Sequence, residues 1–397
     1  MASRIPSRIQ AVPTIQTCAM PCVAAMVIAV AAACGGSNGS GSFAEGSCVL
    51  PTPQPCAGCI EYALEARLVS GPGTDDSIAA NTLAGYLARD GHGRYWLGQH
   101  DHLKVFDSSG ALLGRVGRRG QGPLEFQSAH PIAVDSLGQV HILDNLGGRV
   151  LVVGIDLELM EEHRVPVFTD EMVLMPETGA YALSAWIPDA MSAGYPIHVL
   201  EAGKFTRSIG VMTDSLPYRM PLQPFDVQRK LAIGDSDAVF AARPWDYLVD
   251  AWDVSGRRLG LMMGPPLTDG LRGAPGPYSK SNPPWNGIWD IRFDGSGLMW
   301  TLLNIRRPDW DTRVAEIVER DGSVHLQGRS VDMYRSRVDV VDVQSCAVVS
   351  SSWFDGEGVL SSFLHSDATR VDGMLVEEVV RSDFADPIVN VWHASLR

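Results

Sequence analysis

The sequence predicts an all-β fold, a six-bladed β-propeller of four-stranded antiparallel blades that an N-terminal strand closes. Two copies of one strand pattern, roughly 45 residues apart, indicate an array of blades. The length of 397 residues is what six blades require, and 40 glycines and 25 prolines supply many turns. Hydrophobic residues make up 45% of the chain, which is enough to fill the spaces between blades.

The clearest copy, Pro131 to Val153, consists of three short strands joined by two tight turns. Its first turn is predicted at Ser136 to Gly138, because Asp and Ser bond to their own backbone and Gly adopts positive φ. A weaker copy occupies Gly85 to Asp107, and another Asp-x-x-Gly turn lies at Asp294 to Gly297. Together with the remaining strand patterns, these copies predict six blades at residues 77–116, 130–167, 171–211, 225–263, 285–353 and 359–396, with an insertion at 311–335 in the fifth.

The last blade shows only three strand patterns of its own. Its fourth, outer strand is predicted to be Glu61 to Val69, where apolar and polar residues alternate as in an edge strand. Such a closure covers the exposed edges of the first and last blades.

Two motifs carry a family resemblance. The series Gly122-x-x-x-Phe126, Pro131-x-x-x-Asp135-x-x-Gly138 and Asp144-Asn145 followed by Arg149-Val150 resembles NHL-type repeats. The segment Gly117 to Phe126 is similar to one in the six-bladed β-propeller lipoproteins of environmental bacteria. The resemblance implies a fold and a location, and little about activity.

The N-terminus resembles a bacterial lipoprotein signal. Arg4 and Arg8 form a basic region, residues 19–33 are apolar, and small residues precede Cys34, the predicted site of lipidation. We expect a signal peptide at 1–33, a Gly/Ser/Pro-rich tether at 34–59 and the propeller domain at 60–397. The predicted location is the bacterial cell envelope, after export, with a lipid anchor in the outer membrane. An ordinary secreted protein cleaved after an Ala-x-Ala site is the alternative.

Four cysteines remain after this processing: Cys48, Cys56, Cys59 and Cys346. In an oxidising compartment an even number predicts disulfides, with three possible pairings. A bridge from Cys346 to the Cys48–Cys59 segment would tie the N-terminus to a late blade. A four-cysteine zinc site is the alternative, because Cys56-x-x-Cys59 has ligand spacing.

The charge of the chain restricts its partners. The net charge is −14, and no block of basic residues exists outside short pairs such as Arg118-Arg119 and Arg306-Arg307. Nucleic acid is therefore not an expected partner, and membrane contact is expected only through the lipid anchor. We expect a monomer.

Binding residues are expected on the face where loops enter each innermost strand. The predicted contact surface combines two loops, with the residues Arg118, Arg119, Gln121, Glu125, Arg306, Arg307 and Trp310. Two structural alternatives stay open: one is that Glu125 pairs with Arg118 or Arg119, and the other is that Asp144 and Arg149 tie off a strand connection.

Motifs for catalysis are absent from the predicted propeller domain: residues 60–397 contain no Gly-x-Ser-x-Gly and no His-Glu-x-x-His, and the one Gly-x-Ser-x-Gly match, at 35–39, lies in the predicted tether. His100-Asp101-His102 contains metal-ligand types, yet two histidines without an evident third ligand favour solvated loop residues. No cofactor is expected, although an axial Ca²⁺ held by several blades would leave no contiguous motif.

These observations predict a non-catalytic binding or scaffolding propeller that presents its loop face to an envelope protein, a peptide or a glycan. One alternative is a metal-dependent lactone or ester hydrolase with an axial divalent cation. Another is a substrate-binding accessory to uptake or sensing. Carboxylates converging in the channel would favour the enzyme, whereas apolar or sealed walls would favour the scaffold.

Overall fold

The computed structural model describes most of the chain that follows residue 45. The described residues are 46–69, 78, 86–166, 169–187, 194–210, 228–267, 278–279, 282–318, 324–365, 373–379 and 388–397. All of them belong to the unit Ser40–Arg397. The predicted signal peptide and Cys34 lie outside the described residues.

Two strands precede the blades, β1 (Gly46–Val49) and β2 (Ile60–Leu68). Blade 1 contains β3 (Leu87–Arg89), β4 (Tyr95–Gln99), β5 (His102–Phe106) and β6 (Leu112–Val116). The loop after it holds the short parallel pair β7 (Arg118–Arg119) and β8 (Glu125–Phe126). Blade 2 contains β9 (Ala129–Val134), β10 (Val140–Asp144), β11 (Arg149–Val153) and β12 (Leu159–Arg164).

The other four blades follow in the same order from inner to outer strand. Blade 3 contains β13 (Thr169–Leu174), β14 (Tyr181–Ala185), β15 (Ile197–Glu201) and β16 (Lys204–Ile209). Blade 4 contains β17 (Lys230–Ile233), β18 (Val239–Ala242), β19 (Leu248–Trp252) and β20 (Arg258–Met263). The strands of blade 5 that precede its insertion are β21 (Gly287–Phe293) and β22 (Met299–Arg306).

The insertion in blade 5 lies between its second and third strands. It consists of α1 (Trp310–Arg313), the hairpin β23 (Ala315–Val318) and β24 (Val324–Gln327), and α2 (Ser330–Met333). Blade 5 is then completed by β25 (Tyr334–Asp342) and β26 (Ala347–Trp353). Within the described part of the chain, neither helix is long and apolar enough to cross a membrane.

Blade 6 is completed by the N-terminal strand, as predicted. Its own strands are β27 (Val359–Phe363), β28 (Met374–Val379) and β29 (Ile388–Leu396), and β2 adds the outer strand antiparallel to β29. The pairing runs from Ile60 opposite Leu396 to Leu68 opposite Val389. The predicted six-bladed propeller with N-terminal closure is therefore confirmed.

The apolar core lies between blades rather than within a single layer. Six clusters of buried side chains each join two neighbouring blades. The cluster that joins blades 6 and 1 contains Leu68 and Val391 together with Leu87 and Phe106. Because the last blade packs on the first in this way, the apolar faces of both are removed from water.

The segment before β2 departs from the predicted tether at 34–59. Residues 46–49 form β1, which adds a parallel fifth strand to blade 4 along β20. Cys48 is joined to Cys346 in blade 5, and Cys56 is joined to Cys59. The amide of Cys56 also donates to the carbonyl of Ser351 in β26. Residues 50–59, which we call the strap, are therefore held against the propeller.

The same kind of turn joins the first and second strands in blades 1, 2 and 5. In each, an Asp accepts backbone N–H groups two and four residues further on, and its second carboxylate oxygen faces the residue six positions on. Trp96 Nε1 donates to Asp90 at 2.8 Å, and Trp300 Nε1 donates to Asp294 at 2.8 Å. His141 takes this place beside Asp135 in blade 2.

Candidate functional site

The channel on the propeller axis is crossed by ion pairs between innermost strands. Lys230 Nζ on β17 donates to Glu171 Oε2 on β13 at 3.0 Å. Arg292 Nη2 on β21 lies 3.8 Å from Glu171 Oε1. Because blades 3 and 5 are not neighbours, the second pair spans the channel. Three side chains from three blades thus close part of the axis.

Arg292 anchors the deeper part of this network. Its Nη1 donates to the carbonyl of Leu231 at 2.7 Å, and its Nη2 donates to Nδ1 of His365 at 3.1 Å. Asp290 Oδ1 lies 3.6 Å from Arg292 Nη2, while Asp290 also accepts the amide of Phe363 at 2.8 Å. Burial is the main cause that raises the pKa of Asp290. The charged groups are thus satisfied within the protein, as buried charges require.

Toward the loop face, the network ends in a polar floor that we call the channel mouth. Its residues lie in or next to the first positions of innermost strands and are Tyr86, His130, Asp170, Gln228 and Lys230. Gln228 Nε2 donates to Asp170 Oδ1 at 3.1 Å, and the rings of Tyr86 and His130 meet edge to face. The side chain of Lys230 is 33% exposed, so the mouth remains accessible to solvent.

Enclosure in the mouth shifts the acid–base behaviour of these groups. Burial raises the pKa of Asp170 to about 6 and lowers that of His130 to about 4. Burial also raises the pKa of Tyr86. It would lower the pKa of Lys230, but Glu171 and other nearby groups more than offset this effect, so that pKa is raised. At neutral pH the mouth offers a cation, a carboxylate, a neutral imidazole, an amide and a phenol.

Carboxylates do converge in the channel, but their partners there are cations. Glu171 pairs with Lys230 and Arg292, and Asp290 pairs with Arg292. Among the residues that the structure describes, no group of three or more His, Cys, Asp or Glu side chains is arranged to hold a metal ion. The described carboxylates Glu171 and Asp290 are therefore engaged by cationic side chains of the protein.

The predicted loop at Gly117 to Phe126 is held together by its own residues. Arg118 pairs with Glu125 through Nε and Nη2, at 2.9 and 2.8 Å. Glu125 Oε2 accepts the amides of Gln121 and Gly122. Those bonds and Arg118 lower the pKa of Glu125. Glu125 thus organises the loop, while Arg118, Arg119 and Gln121 remain exposed.

The buried guanidinium of Arg149 holds this loop from below. It donates to the carbonyls of Gln121 and Glu125, and its Nε lies 3.3 Å from Asp144 Oδ2. Asp144 in turn accepts the amides of Gln127 and Ser128. These contacts show that Asp144 and Arg149 have the expected structural role, which is to hold the strand connection by side-chain hydrogen bonds.

The second predicted contact loop is buried to a greater extent than the sequence indicated. Trp310 is 6% exposed, so it does not offer a ring on the surface as expected. Arg306 Nη1 donates to the carbonyl of Pro284 at 3.0 Å, and Arg307 Nε donates to the carbonyl of Val331 at 2.8 Å. Arg307 thus attaches the insertion to blade 5, whereas Arg306 holds the segment that precedes β21. Short loop segments rich in Arg and Trp do not reveal which of them fold back onto the protein.

In the segment His100-Asp101-His102, at the turn between β4 and β5, the side chains of Asp101 and His102 are in contact. His102 Nδ1 lies 2.7 Å from Asp101 Oδ1. This bond is the main cause that lowers the pKa of Asp101, and Arg119 adds to the effect. His100 is exposed. The described residues thus place Arg119 near this acidic group on the loop face.

Sequence reasoning did not single out the residues of the channel. They occur once or twice per blade, at positions such as Glu171, Lys230 and Arg292 that are separated by some 60 residues. One signal was present: each lies within or beside an otherwise apolar first strand of a blade. A polar residue at such a position must either find a partner across the axis or line a cavity.

Comparison with known proteins agrees with this architecture. Residues 94–191 match the model of the DUF5128 family, described as a 6-bladed beta-propeller. This chain is a six-bladed β-propeller. The family match covers about a quarter of the propeller chain, namely part of blade 1, blade 2 and part of blade 3. No curated protein matches the sequence.

Two solved structures share the propeller fold. One is a protein of Bacteroides fragilis named as exported, with 13% identity and a TM-score of 0.51 over 88% of this chain and 99% of its own. Another is a member of the duf4221 family from Bacteroides vulgatus, with 10% identity and a TM-score of 0.51 over 85% of this chain and 99% of its own. At such identities the likeness concerns the fold.

Proposed function

We propose that this protein is a binding propeller of the cell envelope that holds a polar group of a peptide, protein or glycan at the channel mouth. The supporting observation is the closure of the axis by Glu171, Lys230 and Arg292, which leaves a solvent-accessible polar floor above it. The floor offers both donors and acceptors, as a site for an uncharged polar ligand requires. Arg118, Arg119 and Gln121 are exposed on the same loop face and would contact the outer part of that ligand.

Location at the envelope is part of the same proposal. The sequence before Gly46 has the pattern of a lipoprotein signal with Cys34 as the acylated residue. Two disulfides in the described part of the chain are compatible with an oxidising compartment. Metabolic labelling with a fatty-acid analogue should mark the wild-type protein. The Cys34→Ala variant should carry no label and should no longer be found in the membrane fraction.

The binding role is tested with arrays of peptides and envelope glycans probed with the domain from Gly46 onward. We expect Gln228→Ala and Tyr86→Phe each to lower the affinity for the ligand found on the arrays about tenfold, because each removes a hydrogen-bonding group of the channel mouth. The exposed residue Leu113 on blade 1 offers a control, and Leu113→Ala should bind as the wild type does. If both variants bind the ligand as tightly as the wild type does, the channel mouth is not the binding site.

The hydrolase alternative is tested separately by chemistry. Elemental analysis of the purified protein, before and after treatment with EDTA, shows whether it carries calcium or zinc. Turnover of a panel of lactones and esters that is lost with EDTA would favour the enzyme. We expect no such turnover, because the carboxylates described in the channel are paired with Lys230 and Arg292.

A further inference from the structure

A second concave surface lies far from the channel, along the outer strands of blades 5 and 6. It is a groove of about 440 Å³ between the strap, the end of β26 and the start of β2. Its volume falls in the range of small-molecule sites, about 300–1,000 Å³. We call it the strap groove.

The apolar part of the strap groove consists of aromatic rings. Tyr62 and Phe354 meet edge to face with centroids 5.2 Å apart, and Phe354 meets Trp392 in the same way at 5.5 Å. Phe354 is buried, whereas Tyr62 and Trp392 are half-buried. Trp392 is fixed because its Nε1 donates to Glu377 at 2.7 Å. The rings are therefore preorganised and keep part of their surface toward the groove.

The rim of the strap groove carries groups that form hydrogen bonds. Arg335 and Asp355 lie 3.5 Å apart, with side chains 39% and 86% exposed. The guanidinium of Arg335 also stacks on Trp353, 4.6 Å from its ring. Inside the groove, the Tyr62 hydroxyl lies near Ser352, buried and without a hydrogen-bond partner of good geometry. One cation and one carboxylate balance each other at the rim.

The remaining wall is the strap itself. Pro55, Cys56 and Gly58 line the groove, and the Cys56–Cys59 disulfide constrains this part of the strap. The bond from the Cys56 amide to the Ser351 carbonyl, 2.9 Å long, fixes the strap on β26. The wall is thus a constrained backbone segment, which lowers the entropic cost of ordering a ligand against it.

We propose that the strap groove binds a sugar ring of a neutral oligosaccharide. A pyranose has an apolar face of C–H groups, which suits the rings of Tyr62 and Trp392, and an edge of hydroxyls, which suits Arg335 and Asp355 at the rim. The balanced charge of the rim favours an uncharged ligand. A lipid chain would leave the ion pair of the rim without polar partners, and nucleic acid would be repelled by the net charge of −14.

In the test, the protein is titrated with chitohexaose, cellohexaose and mannohexaose, and binding is measured by tryptophan fluorescence and by calorimetry. We expect one of the hexasaccharides to bind. Asp355→Ala should weaken the binding about tenfold, and Arg335→Ala about threefold. Both variants should keep the wild-type Tm within about 2 °C, because both side chains lie at the rim and the ion pair between them is exposed.

Two controls separate this site from the channel mouth. Leu113→Ala should leave the hexasaccharide affinity unchanged, and Gln228→Ala should do so as well. The proposal is overturned if none of the three hexasaccharides binds at millimolar concentration, or if binding is the same in wild type, Asp355→Ala and Arg335→Ala. It is also overturned if Gln228→Ala abolishes the binding, since the sugar would then lie at the channel mouth.

Discussion

Glu171 accepts a hydrogen bond of 3.0 Å from Lys230, and its other carboxylate oxygen faces Arg292 across the channel. One carboxylate therefore pairs with two cations from two other blades, and Asp290 supplies a second negative charge beside Arg292. This arrangement links the innermost strands of blades 3, 4 and 5 and keeps the axis closed below the channel mouth. It also explains why carboxylates in the channel do not by themselves indicate a metal site here.

Replacing Glu171 by Gln should destabilise the propeller. The variant leaves Lys230 and Arg292 without their shared carboxylate, and breaking a buried ion pair from one side is costly. Since Lys230 is 33% exposed, we expect a loss of about 2–4 kcal/mol rather than more. Urea denaturation measures this loss in the free energy of unfolding. Glu61→Gln, which removes the exposed pair with Arg397, is the matched control and should change little. An equal effect of both variants would contradict the role of Glu171.

The contribution of Asp170 to the free energy of unfolding should fall as the pH rises from about 4 to 6. Its folded pKa is raised to about 6 from 3.8, mainly by burial. An acid with a raised pKa holds its proton more tightly when folded, so between about pH 4 and 6 the folded state binds more protons and loses stability with rising pH. Asp170→Asn should remove this decline, which denaturant midpoints at pH 4.5, 5.5 and 7 would show.

Asp253 provides the control of opposite sign for that measurement. Burial opposes ionisation, but hydrogen bonds from Ser255 and Arg257 outweigh it and lower the pKa of Asp253 to about 2. Its contribution is present above about pH 4 and is lost as the pH falls toward 2. Asp253→Asn should therefore differ from wild type most at neutral pH. The same pH profile for Asp170→Asn and Asp253→Asn would refute the assignment.

The Cys48–Cys346 disulfide should contribute more to stability than the Cys56–Cys59 disulfide. The first joins residues 298 positions apart, and the second joins residues only 3 apart. Closing the longer loop removes more entropy from the unfolded chain, so replacing Cys48 and Cys346 by Ser should cost about 2–5 kcal/mol. The Cys56/Cys59 double Ser variant should cost less. Guanidinium unfolding of both under non-reducing conditions makes the comparison.

The sequence predicted the scaffold well because local rules act at each turn and strand. The side chain of Asp135 accepts the amide of Leu137 and so specifies its turn, in which Gly138 adopts positive φ. Glu61 to Val69 show the alternation of an edge strand. The channel mouth and the strap groove could not be predicted in this way. Tyr62 and Phe354, for example, are almost 300 residues apart, and only the closure of the ring brings their rings together. Which Arg and Trp side chains are exposed likewise depends on long-range packing, as the burial of Trp310 shows.

Replacing Arg149 by Lys should release the Gly117–Phe126 loop without unfolding the propeller. The guanidinium donates to the carbonyls of Gln121 and Glu125 at once, and an ammonium group cannot reproduce that planar geometry. The loop contains Arg118 and Arg119, which are exposed sites for trypsin. We therefore expect cleavage after these residues to become at least about tenfold faster, because the free energy of opening the loop falls by about 1.4 kcal/mol or more. Arg164→Lys, an exposed change on the same blade, should be cleaved as slowly as the wild type. If Arg149→Lys also resists trypsin, Glu125 and its bonds to Arg118 and the loop amides must hold the loop alone.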